Sequence, residues 1–203
     1  MSDTLGSGQK RRGRPRSERA RKAILEAAGE LLVARPLEAV SMDEVAERAG
    51  VSKATIYRWW PTKETLALDA LFHEWETTRS LPDTGSLRAD LRALLRPWIR
   101  RLRGRPYGRV ISALLAEAHA DPTFGAEYRA RFVHARREPA RTVIRRAIER
   151  GEIPATTNID LALDLIYGPV YHRLLHGHAP LTDRFAQNVI DAALTGLGLV
   201  ADE

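Results

Sequence analysis

Within one short run the chain places Ser52, Lys53, Ala54, Thr55, Tyr57, Arg58 and Trp59, with Lys63 close behind. Of these, Lys53, Thr55, Tyr57 and Arg58 are hydrogen-bonding side chains on the outward face. Their chemistry is recognition of phosphates and base edges. Lys53 suits the acceptors of guanine, and the Thr55 methyl suits thymine. Lys63 falls in the first turn of a helix, where free backbone amides already favour an anion. Elsewhere the chain lacks Gly-x-Ser-x-Gly, His-Glu-x-x-His and a phosphate-binding glycine loop, the local signatures of several hydrolase and nucleotide-binding classes.

The surrounding residues predict how these groups are positioned. Ser41 followed by Glu44 is a capping box that opens a helix. Val45 and Ala49 give that helix an apolar stripe, Gly50 stops it, and Val51 plugs the turn. Ser52 caps a second short helix over Lys53 to Trp60; Pro61 ends it and Thr62 caps a third. Two short helices about a glycine turn form a helix-turn-helix, whose second helix enters the major groove. Ser41 and Met42, opening the first of the two, complete the expected DNA-facing set. The bland alternative is a helical hairpin with a solvated second helix.

The run Gly50-Val51-Ser52-Lys53-Ala54-Thr55-Ile56-Tyr57-Arg58-Trp59-Trp60-Pro61-Thr62-Lys63-Glu64 resembles the signature of TetR-type transcriptional regulators. The resemblance implies that Lys63, Tyr57 and Trp59 contact the DNA backbone, whereas Trp60 is the buried member of the aromatic pair. It implies a fourth helix linking the DNA-binding domain to a body that takes a small-molecule effector. It also implies a homodimer built on the last two helices, as paired half-sites of a palindromic operator require. Asp43 stands where some relatives place a base-reading arginine, which removes one possible contact.

The 203 residues include no cysteine, so there is neither a disulfide framework nor thiolate chemistry; a reducing cytoplasm is the expected location. No apolar run reaches the length of a membrane span, and no export signal is expected. Strand-like alternation is absent, so the chain reads as all-α, about nine helices in total. The net charge of +6 is uneven: residues 1–22 carry eight Lys/Arg against two acids, 81–150 sixteen against seven, and 151–203 two against seven. Nothing in the sequence calls for a cofactor.

Three parts are expected: a disordered basic arm over 1–16, a helix-turn-helix domain over 17–62, and an effector-binding and dimerisation domain over 63–203. In the arm, Arg11-Arg12-Gly13-Arg14-Pro15-Arg16 resembles an AT-hook core, with Arg14 and Arg16 placed for the minor groove or as a plain tether to phosphate. Trp98, Tyr107, His119, Tyr128, Phe132, Tyr167, Tyr171 and His172 are the expected effector-pocket residues, set against the alternative that they are ordinary core. The wide apolar faces of the last two helices predict an interface at Leu163, Tyr167, Val170, Leu174, Phe185, Val189, Ala193 and Leu197, set against the alternative that both stripes face the subunit's own core; a wide stripe can serve both sides. His172 and His176 have ligand spacing, but no cysteine or nearby glutamate completes a set around them and His178, so no metal site is expected.

The leading reading is a ligand-released, DNA-binding repressor. The alternatives are an architectural DNA-binding protein without an effector and an enzyme carrying an accessory DNA-binding domain.

Overall fold

A computed structural model describes residues 14–75, 81–103 and 105–198. Ten α-helices form there: α1 (Arg14–Ala34), α2 (Met42–Ala49), α3 (Lys53–Tyr57), α4 (Lys63–Trp75), α5 (Leu87–Arg103), α6 (Arg105–Ala120), α7 (Pro122–Tyr128), α8 (Ala135–Glu149), α9 (Ile159–His176) and α10 (Asp183–Gly196). A π-helical turn, Arg129–His134, joins α7 to α8, so those two continue one another as a single long helical run. The all-α expectation holds among the described residues.

The first four helices build the smaller unit. Ile24, Leu25, Ala28, Leu31 and Leu32 of α1 are buried against α2 and α4, with Leu37 and Val40 beneath them. The Ser41–Glu44 capping box forms in both directions, and Gly50 closes α2 at φ 65, a left-handed conformation that a glycine adopts without strain. α3 is shorter than expected. It ends at Tyr57, and the amides of Trp59 and Trp60 both return to the Ile56 carbonyl, which tightens the chain ahead of Pro61.

The start of α1 also differs from expectation. It begins at Arg14, with Pro15 in the first turn, where a missing N–H costs nothing. Arg14 and Arg16 therefore sit on helical rather than extended backbone. Their side chains, and residues 1–13, lie outside the described residues.

The larger unit packs α5 and α6 against α8, α9 and α10 around Leu91, Leu95, Trp98, Ile111, Leu114, Val143, Ile166 and Ile190. The mid-chain arginines and the C-terminal acids prove to be partners. Arg88 and Arg92 of α5 meet Asp191 of α10, while Arg96, Arg100 and Arg103 converge on Asp183. Arg137 and Arg141 of α8 meet Asp164 and Asp160 of α9. Arg100 in first place, then Arg96, holds the Asp183 carboxyl far below the usual carboxylate range. At the α6–α7 corner the backbones approach closely: a Cβ on Gly125 would lie 2.4 Å from the Ala118 carbonyl oxygen.

Candidate nucleic-acid interface and effector cavity

α3 presents Lys53, Ala54 and Tyr57 to solvent, with Arg58 exposed just past its end, Ser52 exposed at its start and Thr55 half-buried. Ser52 accepts from the Thr55 amide at 3.3 Å and shares a 2.8 Å hydrogen bond with the Thr55 hydroxyl, so its oxygen is committed to capping. Lys53 Nζ donates to Asp43 Oδ2 at 2.8 Å, a bond that raises the lysine pKa. Asp43 thus ties the recognition helix to α2 and fixes where the Lys53 ammonium stands. Arg58 stacks over the Trp59 ring at 4.7 Å.

Several expected DNA-facing residues are engaged elsewhere. Met42 is buried in the core, and Ser41 is occupied as the α2 cap. Lys63 Nζ donates to the carbonyls of Leu37 and Glu38 at 3.2 and 3.3 Å, pinning the α1–α2 connection onto α4.

Trp60 is buried, and its indole N–H donates to Asp69 Oδ2 at 2.8 Å. Asp69, itself buried, also receives Arg21 of α1 at 3.4 Å and the guanidinium of Arg131 from the π-turn. One carboxylate therefore joins α1, the end of the helix-turn-helix, α4 and the body. Beside Arg131, Phe132 stacks on Tyr128 at 5.1 Å and meets Phe72 of α4 edge-on at 5.8 Å.

Tyr128 continues into a cavity of about 390 Å³, between α6, the π-turn, α8 and α9. Its wall includes Leu115, Val133, Arg136, Tyr167 and Tyr171, with Asp164 and Gly168 at the exposed rim. Volume and lining are those of a small-molecule site. Burial pushes the Tyr128 and Tyr171 hydroxyls well above the usual phenol range, so both stay protonated donors. Arg136 stacks its guanidinium over Trp98 at 4.8 Å, and Tyr167 donates to the Arg136 carbonyl at 3.1 Å.

Comparison with known proteins agrees with this two-part architecture. Residues 24–70 match the family described as bacterial regulatory proteins, tetR family, and residues 81–193 match the tetracyclin repressor-like C-terminal domain. The chain belongs to the TetR family of transcriptional regulators. It is 38% identical to the uncharacterized HTH-type transcriptional regulator YdeS of Bacillus subtilis, over 93% of this chain and 95% of that one. It is 32% identical to the DNA-binding transcriptional repressor TetR of Mycobacteroides abscessus, over 88% and 94% of the two chains. The solved TetR family transcription regulator SCO0332 superposes with a TM-score of 0.76 at 37% identity, covering 90% of this chain and 99% of that one.

In this TetR-family regulator the expected pocket residues divide. Tyr128, Tyr167 and Tyr171 line the cavity, and Trp98 packs behind the last two at 5.2 and 5.8 Å. Phe132 is core, one layer removed. Tyr107 lies in a different cleft, near Leu32, Leu71 and Val110. His119 is exposed and bonded to the Leu115 carbonyl, and His172 is on the outer face of α9 beside His176 and His178. Sequence reasoning missed Arg136, Arg137 and Asp164. The spacing of Asp164, Tyr167, Gly168 and Tyr171 along one helical stripe was the available signal.

The expected interface residues need a larger correction. Leu163, Tyr167, Val170, Val189 and Ala193 are buried within this subunit, and Leu174, Phe185 and Leu197 pack against the same core. The opposite face of α9 instead exposes Leu161 at 53%, Leu165 at 41% and Leu175 at 47%, in line with exposed Gly168. α10 adds exposed Asn188, Ala192 and Gly196. Among the described residues no helix is long and apolar enough to cross a membrane, and no group of side chains is arranged to hold a metal ion.

Proposed function

We propose that the protein is a homodimeric repressor that binds a palindromic operator through α3 and releases it when a small molecule fills the α6–α9 cavity. The observation that carries this reading is the Asp69 junction. It ties Trp60, behind the recognition helix, to Arg131, one turn from the cavity wall. A ligand that moves the π-turn acts on the carboxylate that also anchors the helix-turn-helix, and differential binding to two arrangements of that junction is what release requires. The functional boundary falls near residue 62, with α4 shared between the two units. Selection of bound sequences from random DNA tests the operator: a two-fold symmetric site supports the reading, and an absence of enriched sequence overturns it.

Two further expectations follow. With Asp43 orienting it, Lys53 reads a base edge, so Lys53→Ala costs roughly 1–3 kcal/mol on the selected site and little on scrambled duplex. Equal losses on both would make Lys53 a phosphate contact. For the dimer, the exposed stripe of α9 is the second subunit's surface. Leu165→Glu yields folded monomers in sedimentation at micromolar concentration, because the charge is solvated in the monomer and desolvated only in the interface. A Leu165→Glu protein that still sediments as a dimer would exclude this face.

A further inference from the structure

The charged groups of the cavity wall are already engaged. Arg137 is bonded to Asp164 at 2.7 Å and to the Asp160 carbonyl at 3.0 Å. Arg136 lies with its guanidinium over the Trp98 ring at 4.8 Å and has a further partner besides. The Tyr167 hydroxyl is taken up by the Arg136 carbonyl. Two polar groups of the wall remain. Tyr128 and Tyr171 line the same cavity, and neither hydroxyl has a hydrogen-bond partner among the described residues. Both rings are fixed by their neighbours: Tyr128 stacks on Phe132 at 5.1 Å, and Tyr171 leans against Trp98 at 5.8 Å. Tyr128 is only 3% exposed. Burial, and for Tyr171 the neighbouring Tyr128 as well, keeps both groups protonated, so both can donate. A buried O–H without an acceptor is unfavourable, and a ligand oxygen that supplies the acceptor relieves it.

We infer that the effector is an uncharged, flat and largely apolar molecule whose carbonyl oxygen accepts hydrogen bonds from Tyr128 and Tyr171. The inference rests on the reading of this cavity as the effector site. A carbonyl oxygen carries two lone pairs and can take both O–H donors at once. Leu115, Val133 and the tyrosine rings offer apolar and aromatic surface to a flat body. A carboxylate would give up its hydration in an apolar cavity whose cations are already engaged. A cationic ligand would lie beside two guanidinium groups with only Asp164 to offset them. Tyr128 is the last residue of α7, and Arg131 stands three residues further on. A ligand held by both tyrosines therefore bears directly on the turn that reaches Asp69.

Equilibrium dialysis of the full-length protein compares three probes that share a naphthalene body. They are 2-acetylnaphthalene, its isostere 2-isopropenylnaphthalene, in which a methylene replaces the oxygen, and 2-naphthoate. Affinity for the selected operator is followed in parallel. The ketone is expected to bind about tenfold more tightly than the alkene, the range for one or two net hydrogen bonds, and more tightly than the carboxylate. Tyr128→Phe and Tyr171→Phe each remove one hydroxyl and keep the ring. Each lowers the ketone-to-alkene ratio, and the double variant brings it to about one; thermal melts confirm that all three variants fold. Equal binding of ketone and alkene, tighter binding of naphthoate than of ketone, no saturable binding of the ketone, or a ratio that survives in the double variant overturns the inference. A ketone that binds through both hydroxyls yet leaves operator affinity unchanged would instead remove the effector role of the cavity and leave the ligand class standing. Operator release by the alkene or the carboxylate, with no preference for the ketone, would do the reverse.

Discussion

Trp60→Ala lowers the stability of the DNA-binding unit by about 3–5 kcal/mol, the range for emptying a large aromatic from a core. Trp60 is 2% exposed, lies edge-on to Trp59 at 5.7 Å and is held by Asp69 through its indole N–H. Its removal opens a cavity at the base of α3 and leaves the Asp69 carboxylate with one donor fewer. Chemical denaturation followed by circular dichroism measures the loss. Trp59→Ala is the control: Trp59 is only half-buried and packs on the Arg58 side chain at the surface, so its loss is smaller. Equal effects of the two would mean that Trp60 is not the residue that anchors the motif.

The second large effect is expected at Asp69. Asp69→Ala leaves the buried Trp60 N–H without an acceptor, at about 1–3 kcal/mol, and releases both arginines. The arginines contribute little to that figure, because Arg21 and Arg131 keep 53% and 40% of their side-chain exposure and rehydrate readily. Asp69→Asn is the more informative change. It preserves an acceptor for Trp60 but removes the charge that holds Arg131. Operator affinity without ligand then stays near that of the unaltered protein, while the ligand-induced fall in affinity shrinks. Couplings between sites typically amount to about 1–3 kcal/mol, so the loss is measurable as a change in the ratio of liganded to free affinity. An undiminished ratio in Asp69→Asn would reduce the junction to a structural contact.

The parts legible from the sequence are those governed by neighbours along the chain. The capping box at Ser41 and Glu44, the left-handed Gly50 and the Ser52 cap depend on residues three or four apart, and all formed. The family motif placed the recognition helix for the same reason. Three features were not legible. Arg137 and Asp164 are 27 residues apart and meet only because α8 lies against α9, so no local pattern announces that pair, although the α9 stripe of Asp164, Tyr167, Gly168 and Tyr171 is visible in the sequence. α9 is apolar on nearly all sides. Its periodicity offers Leu163, Tyr167 and Val170 on one face and Leu161, Leu165 and Leu175 on another, and only packing against α8 and α10 decides which face is buried. Lys63 is a third case. A lysine at a helix start invites an anion, but the carbonyls of Leu37 and Glu38 arrive from another segment and take its protons first.

The arginines of α5 bear on how the protein meets electrolyte. Arg88, Arg92, Arg96 and Arg100 recur every fourth residue, so like charges stack along one helical face, and among the described residues they and Arg103 converge on Asp183 and Asp191. Added salt screens the repulsion within that ladder as well as its attraction to the two acids, and the cations are in excess. Contacts with phosphate respond in one direction only, weakening steadily as salt rises. The body is therefore expected to keep its shape at ionic strengths where contacts with phosphate have already weakened, so that brine would separate holding the fold from holding DNA.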